Sequence, residues 1–222
     1  LEQLASSYAV LTEDEKELGV CLVDMGGGTT DIAVFTEGAI RHTAVVSLGS
    51  KNVTNDIAIG LRTSVEQAEA LKTTHGSALA SLVDPEEMLM VEGMAGRQAR
   101  EISCNVLASI IEPRMEEILS MISRELKKSA RPDQLTGGLV LTGGGSLLPG
   151  TVELAEQLFD MPVRQGVIHG LEHVPEELNS NRYAGALGLA VYGATHDPQG
   201  ESKGGAVRGL LRRIENWISK QF

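Results

Sequence analysis

Short apolar runs bounded by glycines and charged residues alternate with longer amphipathic stretches along the chain. Residues 19–24 are almost wholly apolar, which predicts a buried strand, and 31–35 and 40–46 continue it across turns at Gly26 to Gly28 and at Glu37-Gly38. The result is a three-stranded meander. Residues 1–10 read as the end of a helix, and 12–17 as an acidic, solvated turn. Two helices follow over 53–61 and 65–72, the second capped by Ser64 with Gln67 at its third position. A Gly- and Met-containing stretch with weak strand character runs to about residue 96. Beyond it a long helix is predicted over 97–128, with Ile102, Val106, Ile110, Leu119 and Ile122 apolar and a kink at Pro113. Residues 139–142 form another buried-type strand that runs into Gly143-Gly144-Gly145. Pro149 then opens a helix over 150–159, and 163–165 make a last short strand. The helix predicted over 182–192 is rich in small residues (Ala184, Gly185, Ala186, Gly188, Ala190), suited to close packing on another backbone. Residues 196–205 are polar and Gly-rich, as in a flexible linker.

Charge divides the chain more sharply than composition does. The net charge is −11, yet residues 202–222 hold Lys203, Arg208, Arg212, Arg213 and Lys220 against Glu215 alone, a local +4 that leaves −15 on the rest. An acidic body with 3% aromatic residues argues against nucleic-acid binding. Cys21 and Cys104 lie far apart without metal-ligand spacing, so neither a disulfide framework nor a zinc site is expected. No apolar run approaches the ~18 residues of a spanning helix, and the N-terminus lacks a basic-then-apolar export signal, so a protein neither secreted nor transmembrane is expected. In the basic tail, Val207, Leu210, Leu211, Ile214, Trp217, Ile218 and Phe222 fall at three-and-four spacing on one helical face. Arg208, Arg212, Arg213 and Lys220 lie mainly opposite or at its borders. That pattern suits a helix lying in an anionic membrane interface with Trp217 at headgroup depth, each cation contributing roughly 1 kcal/mol. A helix docked on the protein's own core is the plainer alternative.

The chemistry concentrates in two glycine turns. In Asp24-Met25-Gly26-Gly27-Gly28-Thr29-Thr30-Asp31, three glycines let backbone amides approach phosphate oxygens, Asp24 can hold a divalent cation through water, and the Thr29 hydroxyl can donate to the same phosphates, with Thr30 beside it. Without further context this is a Gly-rich hairpin with an aspartate at each end. About 115 residues later, 139–150 (LVLTGGGSLLPG) form a strand, a glycine turn of Gly143, Gly144 and Gly145, and a Pro-started helix. Glu69 and Lys72, one helical turn apart, read on their own as a surface ion pair of a few tenths of a kcal/mol.

The first motif resembles the second phosphate motif of the actin, DnaK-type chaperone and sugar-kinase superfamily, and the second resembles its adenosine motif. The resemblance implies ATP and Mg2+ as ligands and places Glu69 and Lys72 at the adenosine. Residues 4–12, 38–43, 53–58, 71–76 and 111–114 are similar to the bacterial cell-division family FtsA, and together they extend the resemblance over nearly the whole chain. Family members carry a first phosphate motif and an additional subdomain that would precede residue 1, so a C-terminal portion is expected. Such a portion would bind ATP weakly or not at all in isolation, with weak or no ATPase activity. Glu2 matches an acidic position of the first connecting helix, whereas Gln3 stands where the superfamily often has proline.

The implied fold is α/β and actin-like (ribonuclease H-like): a second lobe with a mixed sheet flanked by helices, plus the C-terminal amphipathic helix. Its expected parts are 1–11 as the end of the first connecting helix, 12–54 with 132–180 as the nucleotide-binding core, and 55–131 as a partner-binding subdomain. Residues 181–195 follow as the second connecting helix, 196–205 as linker and 206–222 as membrane-targeting helix. The implied role is a peripheral adaptor on the cytoplasmic face of the cell membrane at midcell. It would bind the C-terminal tail of the tubulin-like FtsZ, self-assemble into filaments and recruit other division proteins. Arg114 and Glu117 are candidates for the tail pocket; otherwise they are an exposed helical pair. A soluble kinase of the same superfamily is the enzymatic rival, and a chaperone without its peptide-binding domain is a second.

Overall fold

The computed structural model describes residues 2–93, 98–129, 134–171 and 174–196. Its centre is a mixed five-stranded sheet in the order β3-β2-β1-β6-β7. Strands β1 (Val20–Met25), β2 (Thr30–Thr36) and β3 (Ala39–Val46) form the antiparallel meander, while β6 (Leu139–Thr142) runs parallel to both β1 and β7 (Val163–Gln165). Because β1 is covered on both faces, it reads as a continuous apolar run rather than an alternating one. Cys21, Val23 and Met25 enter one hydrophobic cluster; Val20 and Leu22 enter another.

The first cluster packs the sheet against α3 (Ser50–Leu61), α4 (Val65–His75), α5 (Cys104–Ser129) and α6 (Thr151–Phe159). The second lies beneath α1 (Glu2–Val10) and α7 (Ala184–His196). Small residues let these two helices touch backbone to backbone, as the sequence of 182–192 suggested: a Cβ added at Gly188 would lie 1.7 Å from the Ala5 carbonyl oxygen.

Three local expectations need correction. The acidic segment after α1 is a helix, α2 (Glu13–Leu18), closed by a capping box in which Thr12 accepts from the Glu15 N–H and Glu15 accepts from the Thr12 N–H. Glu15 also takes Arg164 Nε and Nη2 at 2.7 Å each, tying α2 to β7. Second, the residues expected to begin the long helix form β5 (Arg100–Ser103), which pairs antiparallel with β4 (Met88–Val91). Helix α5 starts only at Cys104 and continues through Pro113. Its apolar face was also misread. Val106 is exposed, and the buried seam is Leu107, Ile111, Met115, Ile118, Leu119, Ile122 and Leu126.

The amphipathic segment, with Val207, Leu210, Leu211, Arg212, Arg213, Ile214, Trp217, Ile218 and Lys220, lies outside the described residues, as does the linker from residue 197. Among the described residues no helix is long and apolar enough to cross a membrane.

Candidate functional site

The two glycine motifs meet at the C-terminal ends of β1 and β6. Strand pairing sets Asp24 opposite Thr142, so the phosphate-type hairpin and the adenosine-type turn leave the sheet side by side. The fit is tight enough to require glycine. At Gly143, φ is +82° and a Cβ would lie 2.4 Å from Asp24 Oδ1; at Gly145 it would lie 2.9 Å from the Met25 carbonyl oxygen.

The hairpin is braced from outside the sequence motif. The first amides of α3 bind its carbonyls, Ser50 N–H donating to Gly26 O at 2.9 Å and Lys51 N–H to Gly27 O at 2.8 Å. Gly49 permits that approach, since a Cβ there would lie 2.7 Å from the carbonyl oxygens of both Gly26 and Gly27. Sequence reasoning missed Gly49; a glycine just before a helix that follows the meander was the available sign. The tip itself is open. Gly28 and Thr29 are exposed, and a Cβ on Gly28 would meet nothing within 4 Å.

Asp24 is nearly buried and accepts a short hydrogen bond from the Ser6 hydroxyl. Burial pushes its carboxyl above the ordinary value; Ser6 opposes the shift, and the charges of Asp31 and Glu2 add to it. Asp31 is held in turn by Gln3 Nε2 at 2.6 Å and by the Thr29 hydroxyl at 3.1 Å. Thr30 points away from the opening: it is fully buried and its hydroxyl donates to Leu48 O at 2.9 Å, so of the two threonines only Thr29 offers a hydroxyl at the tip.

Beside the adenosine-type turn lies a cavity of about 310 Å³ lined by Glu69, Lys72, Gly144, Gly145 and Arg182. Lys72 is buried there, with Nζ 2.7 Å from Glu69 Oε2, 2.9 Å from Thr54 Oγ1 and 3.3 Å from Ser50 O. It is therefore not the exposed i,i+3 pair that the sequence alone suggested. Burial raises the Glu69 carboxyl, but Lys72, Thr54 and Arg182 outweigh it and hold the group below its ordinary value. Arg182 was missed because it arrives from the segment before α7, far away in sequence.

The donor set fits a nucleotide. Gly28 and the Thr29 hydroxyl stand at an open tip that the Gly26 N–H closes on Thr29 O at 2.9 Å, a carboxylate with a raised pKa lies behind it, and a cavity of mixed polarity lies beside the neighbouring adenosine-type turn. The Thr142 hydroxyl, where the two motifs meet, is buried without a hydrogen-bond partner among the described residues.

Arg114 and Glu117 are elsewhere, on α5. Arg114 bridges α5 to α3 with Nε 2.5 Å from Asp56 Oδ2 and Nη2 3.1 Å from Oδ1, and it also pairs with Glu117.

The sheet, the helices on both faces and the paired glycine turns define an actin-like fold. Solved structures agree: MreB5 of Spiroplasma citri bound to AMPPNP aligns over 88% of this chain and 59% of that one, with a TM-score of 0.73 at 19% identity. The MamK double helical filament aligns over 85% and 58%, with a TM-score of 0.60 at 20% identity. Within that class the chain belongs to the FtsA cell-division family, because residues 21–188 match the family described as "Cell division protein FtsA". Its relatives include the cell division protein FtsA of Pseudomonas aeruginosa, 46% identical over all of this chain and 55% of that protein. That of Escherichia coli K12 is 39% identical over 99% of the chain and 55% of that protein. The chain thus spans about half the length of the curated relatives it matches.

Proposed function

We propose that this chain is the nucleotide-binding and partner-binding part of a cell-division adaptor that tethers the FtsZ ring to the membrane. The observation that carries the nucleotide reading is the meeting of two glycine turns beside the Glu69–Lys72 cavity, on a fold whose neighbours include one bound to AMPPNP. Gly26, Gly27, Gly28 and Thr29 would receive the phosphates of ATP, with Thr30 setting the hairpin from beneath. Asp24 would hold Mg2+ through water, and Gly143, Gly144, Gly145, Glu69 and Lys72 would face the adenosine. Bound metal would supply charge neutralisation at the phosphates. On this reading residues 12–54 and 132–180 form the nucleotide core, residues 55–131 bind partners, and ATP occupancy governs assembly into filaments.

Membrane attachment at the cytoplasmic face is assigned to residues 206–222 on their charge reversal and apolar periodicity. Liposome co-sedimentation tests it. With anionic lipid the intact chain is expected in the pellet, and the Leu211→Ala, Trp217→Ala double variant in the supernatant. An intact chain that stays in the supernatant removes the anchor.

The FtsZ tail is assigned to the face around Arg114 and Glu117. Arg114→Glu would set three carboxylates together and is expected to weaken binding of a tail peptide at least tenfold in fluorescence anisotropy. Asp56→Asn removes one of the two carboxylates on the guanidinium and leaves Glu117, costs about 1 kcal/mol at this partly buried pair, and should leave peptide binding intact. Unchanged binding by Arg114→Glu moves the pocket elsewhere.

A further inference from the structure

The two-stranded sheet places three metal-ligating groups together that lie far apart in sequence. Met88 pairs with Ser103 at the end of the β4–β5 ladder, so Glu87 and Cys104 face each other just beyond it, joined by Cys104 N–H donating to Glu87 O at 2.8 Å. His75, the last residue of α4, arrives from a third element, with Nδ1 3.6 Å from Glu87 Oε1. The His75 nitrogen, a Glu87 carboxylate oxygen and Cys104 Sγ all lie within 4.8 Å of one another.

We propose that His75, Glu87 and Cys104 bind a zinc-class divalent ion. Nitrogen, oxygen and sulfur in one cluster suit a borderline-soft ion and not Mg2+ or Ca2+, which take oxygen throughout. Metal–ligand bonds of about 2.0–2.3 Å around a tetrahedral ion separate ligand atoms by about 3.3–3.8 Å, so the His75–Glu87 spacing already fits and Cys104 needs only a small side-chain adjustment. Burial matches as well. Cys104 is 1% exposed, whereas His75 and Glu87 stand at the surface, so the ion enters from solvent and meets the thiol as its innermost ligand. As the sulfur–metal bond forms, the thiol proton leaves to solvent. Three protein ligands leave the fourth position to water.

The ion would join the end of α4, the turn before β4 and the start of α5. Helix α4 also carries Glu69 and Lys72, and Ala78, just beyond it, donates its N–H to Pro149 O at 2.7 Å, beside the adenosine-type turn. The proposal stands independently of the nucleotide reading, because none of its ligands lines that cavity. The sequence concealed it because the ligands are separated by 11 residues or more and Cys21 is not among them.

The test is Co2+ titration of the intact chain under reducing conditions, followed by Zn2+ displacement. Expected are saturation at one equivalent, a thiolate-to-cobalt charge-transfer band that Zn2+ abolishes, and a rise in Tm with Zn2+. Cys104→Ser should remove the band, and Cys21→Ser should keep it, since Cys21 lies inside the main sheet. The surface changes His75→Ala and Glu87→Gln leave the core untouched and should each weaken affinity tenfold or more. No band with the intact chain, a band that survives Cys104→Ser, or affinity unchanged in both surface variants overturns the site.

Discussion

Replacing Gly188 with valine is expected to lower the melting temperature by about 6–12 °C. The cause is a collision between backbones and not a lost contact. A Cβ at Gly188 would lie 1.7 Å from the Ala5 carbonyl oxygen and 2.5 Å from its carbon, and neither helix has a flexible side chain there to give way. Helices α1 and α7 must separate, opening the cluster of Ala9, Val10, Leu11, Ala184 and Leu187 that covers one face of the sheet. Overpacking of this kind costs about 3 kcal/mol, and in a chain of this size each kcal/mol moves Tm by about 2–4 °C. Gly193 is the control. It lies in the same helix, but a Cβ there meets nothing within 4 Å, so Gly193→Ala should stabilise by about 0.5–1 kcal/mol. Thermal circular dichroism reads both. A Tm for Gly188→Val within about 2 °C of the parent would mean that α1 is not docked on α7.

Gly188 also marks what the sequence made legible. A helix with small residues at several positions announces a close backbone partner, though not which one, and the partner proves to be α1. The strands over 139–142 and 163–165 lie where apolar runs between glycine and proline turns placed them. The helix after Thr12 was overlooked because its six residues are mostly charged. Its evidence lay in the Thr12-x-x-Glu15 box and in Arg164, which is 149 residues distant from Glu15. The start of α5 was misplaced because Arg100–Ser103 mixes charged and apolar residues without a clear period, and pairing with Met88–Val91 decides its conformation.

In the candidate site, motifs with contiguous residues were readable and their supports were not. Asp24 and the two glycine turns stand together as a strand-turn pattern suggests, because β1 and β6 are neighbours. Gly49, Ser6, Gln3 and Arg182 belong to other elements and become site residues only through packing. Thr30 illustrates the reverse error: strand alternation turns its hydroxyl to Leu48 while its neighbour Thr29 stays at the tip. Lys72 changes from a surface pair to a buried one through helix packing, since its partners Ser50 and Thr54 come from α3.

Asp24→Asn is expected to act in opposite directions on stability and on nucleotide binding. Burial holds the Asp24 carboxyl above its ordinary value, so folding favours its protonated form. The contribution to stability is therefore fully present below the ordinary carboxylate value and is lost as pH rises through the folded one. Once ionised, the group sits in an unfavourable place, close to Asp31 and Glu2. Asparagine keeps the acceptor for Ser6 and carries no charge, so the variant should melt above the parent at pH 7, with the difference closing as the pH falls below the ordinary carboxylate range. Binding should move the other way. A carboxylate that holds Mg2+ through water is an outer-sphere ligand, and losing one costs about 10–100-fold in metal-dependent affinity. Because the chain spans about half the length of its relatives, the titration with fluorescent ATP is best made in a chimera where this sequence replaces the matching segment of the Pseudomonas aeruginosa protein. A variant that is more stable at pH 7 and weaker for Mg·ATP marks Asp24 as a group whose ionisation cost persists for function. Unchanged affinity would confine Asp24 to a structural part, bracing Ser6 and the neighbouring Gly143 turn, and would move the cation elsewhere.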